Sequence, residues 1–98
     1  PSVTDLGGLL ARFGAANAGL ADRIGAAFTE GGREGIGALV HTVSGTAGML
    51  GAHAVDSAGR ELMQAVRAGA PDLDVSQAIV HLGVEFERTM RTATLLTR

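Results

Sequence analysis

The sequence predicts an all-α fold: an antiparallel up-down four-helix bundle, with residues 1–98 forming one domain. Apolar residues recur every three or four positions in four segments, and no segment alternates as a strand would. The turns between the segments are short, which favours helices packed side by side. The chain is 46% hydrophobic but has only three Phe and no Trp or Tyr. A core of small aliphatic side chains is therefore expected, and such a core suits close helix packing.

The first predicted helix covers roughly residues 5–30, and the second covers residues 33–50. Gly14 and Gly19 are points at which the first helix could bend or break. Its apolar stripe is formed by Leu6, Leu9, Leu10, Phe13, Leu20, Ile24, Ala27 and Phe28. The turn EGGREG precedes the second helix, whose inner stripe is Ile36, Val40, Val43, Ala47 and Leu50.

The third predicted helix covers residues 52–68, and the fourth covers residues 75–97. The loop RAGAPDLD separates them, with Gly69 as the expected residue after the helix end and Pro71 beyond it. Asp74 and Gln77 have the spacing of a capping box for the fourth helix. The inward residues are Val55, Gly59, Leu62 and Val66 on the third helix, and Val75, Ile79, Leu82, Phe86, Ala93 and Leu96 on the fourth.

The charge and composition exclude several classes of function. The formal net charge is −2, which gives no electrostatic case for binding nucleic acid or an anionic membrane. The chain has no cysteine, so disulfides, zinc–thiolate sites and thiol catalysis are excluded. No apolar run approaches the roughly 20 residues of a membrane span, and no signal peptide is visible. A cytoplasmic location is expected.

One histidine lies on the wrong side of the second helix to be part of the core. At about 100° per residue, His41 falls roughly 150° from the centre of the inner stripe. Gly37 lies one turn before it, Gly45 one turn after and Gly48 about two turns after, and Ser44 lies beside it. Each interior helix glycine costs about 1 kcal/mol relative to alanine. We expect these glycines to clear the surface around the imidazole; alternatively they serve helix packing and His41 is incidental.

An exposed imidazole in such surroundings suits one kind of chemistry. No carboxylate is placed to orient His41 and no nucleophile lies near it, so it is poorly built as a general base. Histidine titrates near neutral pH, so an unprotonated ring nitrogen is abundant. The pattern therefore predicts a nucleophile towards a group that a partner brings.

The segment HTVSGTAGMLGA, His41–Ala52, resembles the signature of histidine-containing phosphotransfer (HPt) domains. The upstream LLARF, Leu9–Phe13, is also similar to the family pattern, whereas Met63 replaces a usual Glu. The residues that match are Val43, Gly45, Thr46, Leu50, Gly51 and Ala52, followed by Val55, Ala58 and Leu62.

This resemblance implies a four-helix bundle in which the Nε2 atom of His41 accepts a phosphoryl group from the aspartate of a response-regulator receiver domain and passes it on. The bundle would hold no metal, because the Mg²⁺ belongs to the receiver. The domain would be a phosphocarrier without an active site of its own, in contact with receivers and possibly a kinase domain. The predicted docking surface around His41 comprises Gly37, Ala38, Ser44, Gly45 and Gly48.

The sequence departs from the family at the position three after the histidine. The usual residue there is Lys, which offers positive charge to the phosphoryl group, whereas this chain has Ser44. Phosphohistidine is then expected to be less well stabilised, or to be stabilised by the receiver. Arg33 lies about two turns away, and the sequence leaves open whether Arg60 or Arg12 reaches the site.

Two other functions remain open. The segment HTVSGTAGMLG would also fit the N-terminal phosphoacceptor domain of a chemotaxis-type histidine kinase, and the chain could instead be a non-catalytic interaction or dimer module with a vestigial His41. A metal site is not expected. His53 has Asp56 at i+3 and His81 has Glu85 at i+4, but the inner stripes carry no carboxylates, so both are interpreted as surface or boundary histidines.

Overall fold

A computed structural model describes residues 3–96, and the side chains of residues 5–96. This part of the chain is all-helical and contains no strand, as the sequence predicts. Residue 97, the predicted end of the last helix, lies outside the described residues. The elements are α1 Val3–Ala16, α2 Leu20–Gly31, a short 3-10 helix Gly32–Gly35, α3 Gly37–Met49, α4 His53–Arg67 and α5 Asp72–Leu96. None of the described helices has both the length and the apolarity needed to cross a membrane.

The first predicted helix is divided into α1 and α2 by a turn at residues 17–19. The side-chain amide of Asn17 donates to the carbonyl of Phe13 at 2.9 Å, and its backbone N–H donates to the same carbonyl at 3.1 Å. At the end of α1 the Phe13 carbonyl thus accepts two hydrogen bonds from Asn17, one from its side chain and one from its backbone. The break falls at Gly19, one of the two glycines at which the sequence predicts that the first helix could bend or break.

Two helices end in the same hydrogen-bonded motif. After α3, Ala52 N–H donates to the carbonyl of Ala47 at 2.8 Å, and the intervening Gly51 has φ 78°. After α4, Ala70 N–H donates to the carbonyl of Ala65 at 3.0 Å, and Gly69 has φ 70°. This is the Schellman arrangement, which places a left-handed residue just beyond the helix and so favours glycine.

The last helix begins at Asp72, immediately after Pro71, and not near residue 75. The predicted capping box is wrong, because Asp74 lies inside the first turn of α5. Val75 N–H donates to the carbonyl of Pro71 at 3.1 Å, so the helical bonding is already in place there. Asp72 and Asp74 instead put negative charge near the helix N-terminus, where the helix dipole favours it.

The core forms where α5 packs against α1, α2 and α4, while α3 packs chiefly against α4. The rings of Phe13 on α1 and Phe86 on α5 meet edge-to-face, with their centroids 5.8 Å apart. Burying one large aliphatic side chain stabilises the fold by about 1.5–3 kcal/mol. The fully buried large side chains are Leu20, Ile24, Ile36, Val40, Val55, Leu62, Val75 and Leu82.

The inner stripe of α3 is the part of the fold that positions the site. Ile36, Val40, Val43 and Ala47 are buried, as the sequence predicts, and Leu50 is half-buried. Because these residues fix one face of α3 against the core, the opposite face must point outward. That opposite face carries His41.

Candidate functional site

His41 is exposed on the outer face of α3, as the helix spacing predicts. The residues on either side of it along the inner stripe, Val40 and Val43, are buried. The imidazole is therefore held at the surface by a helix that cannot rotate without exposing its apolar side.

A groove between α3 and α4 lies beside this histidine. Its volume is about 490 Å³. From α3 it is lined by Val40, His41, Ser44 and Gly45, and from α4 by Asp56, Gly59, Arg60, Met63, Gln64 and Arg67. The groove therefore brings the imidazole together with two arginines from the neighbouring helix.

The structure corrects the expectation that Ser44 lies on the exposed face. Ser44 is only 9% exposed, and its hydroxyl lies 2.6 Å from Asp56 Oδ1 and 3.1 Å from the Asp56 carbonyl oxygen. A hydroxyl has one proton to donate, so the two Asp56 oxygens share one donor. The physical reason is that Ser44 lies one turn after the buried Val40, on the flank of α3 that α4 covers.

The other predicted surface residues divide in the same way. Ala38 and Gly45 are exposed, and Gly45 also lines the edge of the groove, whereas Gly37 and Gly48 are half-buried on the flank that faces α4. A Cβ atom on Gly37 would lie 3.9 Å from Met63 Cε, an ordinary contact.

Gly45 and Gly48 differ in what a side chain would meet. A Cβ atom on Gly48 would lie 3.0 Å from Asp56 Oδ2, so this glycine leaves room for the Asp56 carboxylate. A Cβ atom on Gly45 would meet nothing within 4 Å. Packing therefore accounts for Gly48 but gives no reason for glycine at position 45.

Asp56 links α3 to the first of the two arginines. Arg60 Nε donates to Asp56 Oδ1 at 2.9 Å, one turn along α4. The hydrogen bond from Arg60, and after it the one from Ser44, hold the pKa of the Asp56 carboxyl below its usual value. The same bond to Asp56 raises the pKa of the Arg60 guanidinium. The carboxylate is thus charged and fixed between two donors.

This lowered pKa predicts a pH dependence of stability. The contacts of Asp56 should contribute their full stabilisation when the pH is above the ordinary carboxyl pKa of about 4. They should lose this stabilisation as the pH falls through the lowered pKa of Asp56. The difference in unfolding free energy between wild type and Asp56→Asn should therefore shrink between pH 7 and about pH 2. Chemical denaturation at both pH values measures it. Asp22→Asn, at an exposed position of α2, serves as the control. A difference for Asp56→Asn that stayed constant with pH would contradict the prediction.

The structure shows which arginines lie near His41, which the sequence did not determine. Arg33 Nη2 donates to the Ala70 carbonyl and, at 3.0 Å, to Asp72 Oδ1, so it ties the 3-10 helix to the loop before α5. Neither Arg33 nor Arg12 lines the groove. Arg60 does, and Arg67 joins it two turns further along α4. Arg67 was not among the site residues predicted from the sequence. Arg60 and Arg67 are seven residues apart, and this spacing, which puts both on one face of α4, could have identified it.

The other two histidines lie elsewhere. His53 is exposed at the start of α4, and His81 Nε2 on α5 lies 3.9 Å from Glu61 Oε2 on α4. Glu85, the predicted neighbour of His81, pairs instead with Arg88 at 3.1 Å. Across residues 3–96 no group of three or more His, Asp or Glu side chains is arranged to hold a metal ion.

The geometry therefore offers an accessible imidazole beside a groove that carries two guanidinium groups and one carboxylate. Such an arrangement can accept an anionic group by nucleophilic attack and neutralise its charge. The family model that matches this chain is the Hpt domain, over residues 8–94. No match was found among curated proteins or among solved structures.

Proposed function

Because the chain belongs to the Hpt domain family, we propose that His41 accepts a phosphoryl group from the aspartyl phosphate of a response-regulator receiver domain and passes it to another receiver. Hpt domains act in histidine phosphotransfer within two-component systems. The observation that carries the assignment to His41 is its exposure beside a groove containing Arg60 and Arg67. His53 and His81 do not line that groove.

The transfer asks little of this domain beyond an accessible nitrogen. The lone pair on Nε2 of neutral His41 attacks phosphorus as the bond from phosphorus to the aspartyl oxygen breaks, and the aspartate leaves as a carboxylate. Nδ1 keeps its proton, so no proton has to move. Phosphoryl transfer depends mainly on in-line positioning and charge neutralisation. The receiver would supply Mg²⁺, and the bundle would supply the nucleophile and the docking surface.

The proposal includes the arrangement of the helices and the docking face. The three-residue connection at residues 50–52 and the four-residue connection at residues 68–71 support antiparallel, up-down packing of α3, α4 and α5. The receiver would approach the exposed face of α3 around His41, over Ala38 and Gly45, next to the groove. A cytoplasmic location follows from the proposal, because the phosphate of a relay derives from intracellular ATP.

Incubation with a receiver phosphorylated with labelled phosphate tests the proposal. The wild-type chain should acquire an acid-labile, base-stable label, His41→Gln should acquire none, and the matched control His53→Gln should label like wild type. A label that persisted in His41→Gln would contradict the assignment. Labelling only by a kinase domain with ATP would favour the chemotaxis-type phosphoacceptor domain. No label from any donor would favour a non-catalytic interaction module.

A further inference from the structure

Ser44, Asp56 and Arg60 form a connected chain from α3 to the edge of the groove beside His41. The Ser44 hydroxyl lies 2.6 Å from Asp56 Oδ1, and the same carboxylate oxygen accepts from Arg60 Nε at 2.9 Å. Ser44 is thus tied to a cation on α4, although it occupies the position where the family usually has a cation of its own.

The two ends of this chain differ in exposure. The Asp56 side chain is 17% exposed and lies against Ser44 and the bare backbone of Gly48, whereas the Arg60 side chain is 78% exposed. The ion pair is therefore oriented, with its negative end covered by α3 and its positive end at the surface. Of the two charges, the guanidinium is therefore the more accessible to a group that enters the groove.

The atoms of Arg60 allow it to hold two anions together. Its bond to Asp56 uses Nε, and among the described residues no partner is found for its two Nη groups. A guanidinium has five N–H donors in a fixed plane, so it can bind a carboxylate through one edge and phosphate oxygens through another. A lysine ammonium is a point charge without this fixed geometry.

We propose that Arg60, from α4, supplies the positive charge beside the phosphoryl group on His41, and that Ser44 and Asp56 are positioning residues for its guanidinium. This inference rests on phosphorylation of His41. It assigns the charge to a different helix from the one that carries the histidine. The charged and titratable groups that line the groove are His41, Asp56, Arg60 and Arg67.

The ionisation of the phosphoryl group tests this inference without any receiver. Phosphoramidate phosphorylates accessible imidazoles directly, so the titration uses the full chain with His53→Gln and His81→Gln, in which His41 is the one remaining histidine. The pKa of the phosphoryl group on His41 can then be read by ³¹P NMR. A nearby cation favours the more negative form. Arg60→Gln should therefore raise the phosphoryl pKa by about 0.5 to 1. Arg88→Gln is the matched control, because Arg88 is also an exposed arginine paired with a mostly covered carboxylate, and it should change nothing.

The positioning role of Ser44 has its own readout. Ser44→Ala should raise the phosphoryl pKa by less than Arg60→Gln does, and should add nothing in the Arg60→Gln background, because it acts through Arg60. A purely structural role would change thermal stability but would not depend on Arg60 in this way.

Three results would overturn the inference: no change in Arg60→Gln, a larger change in Arg67→Gln, or failure of phosphoramidate to label His41. Failure of the proposed relay would look different. In that case no receiver would label His41, while the chemically phosphorylated chain would still show the effect of Arg60→Gln.

Discussion

Replacing Gly45 with glutamate is expected to reduce phosphoryl transfer from a receiver to His41 by about 100-fold or more while leaving the fold intact. Gly45 lies one turn after His41, is exposed, and has open space around its Cβ position. A glutamate would put bulk and negative charge where the docking partner and the phosphoryl group meet the helix. Like charges forced together at an interface cost several kcal/mol, and about 2.7 kcal/mol is enough for a 100-fold effect.

The fold should tolerate the change because no neighbour has to move. Replacing glycine in a helix interior also removes a cost of up to about 1 kcal/mol, so thermal unfolding should occur at or above the wild-type temperature. Single-turnover transfer and thermal denaturation measure the two effects separately. Gly25→Glu on α2 is the control, because Gly25 also has nothing within 4 Å of its Cβ position and lies away from the groove. If Gly45→Glu lost its fold together with transfer, the glycine would serve packing.

The placement of His41 could be predicted from the sequence because one regular pattern determines it. The apolar spacing of Ile36, Val40, Val43 and Ala47 fixes which face of α3 is buried, and a helix wheel then gives the opposite face. The same reasoning gave the all-helical fold, because periodicity is a property of each segment by itself.

The surroundings of His41 could not be predicted in the same way. A wheel for one helix shows inside and outside, but it does not show which flank a neighbouring helix covers. Ser44 and Gly48 lie on the flank that α4 covers, so the structure buries the first and half-buries the second. The contact of Ser44 with Asp56, and through it with Arg60, depends on the register between α3 and α4. That register is a tertiary property with no local signal in either helix.

Some helix ends can be predicted from the local sequence, whereas others depend on contacts with distant parts of the chain. The stops at Gly51 and Gly69 follow from local chemistry, because the left-handed backbone there favours glycine. The start of α5 at Asp72 does not follow from the capping pattern, because Asp72 also binds Arg33 from the 3-10 helix at 3.0 Å. The competing sequence signal, Asp74 with Gln77, lies wholly inside the helix.

Replacing Gly59 with leucine is expected to destabilise the fold strongly, whereas Gly45→Glu should reduce phosphoryl transfer and leave the fold stable. Gly59 is buried on α4, and a Cβ atom there would lie 3.0 Å from Ser44 Cβ and 3.1 Å from Ser44 Oγ. These atoms belong to the interior side of α3 and cannot swing into solvent. Forcing extra carbons into a packed interface costs typically about 1–3 kcal/mol.

We expect Gly59→Leu to lower the unfolding free energy by about 2 kcal/mol, and the melting temperature by about 10 °C for a domain of this size. Gly25→Leu is the matched control, because it makes the same substitution in a helix where the Cβ position is open, and it should melt at or above the wild-type temperature. Equal melting temperatures for the two variants would mean that α3 and α4 can separate without cost. A loss confined to Gly59→Leu would instead show that the close approach of α3 and α4, which brings Ser44 to Asp56, is itself part of the stability of the fold.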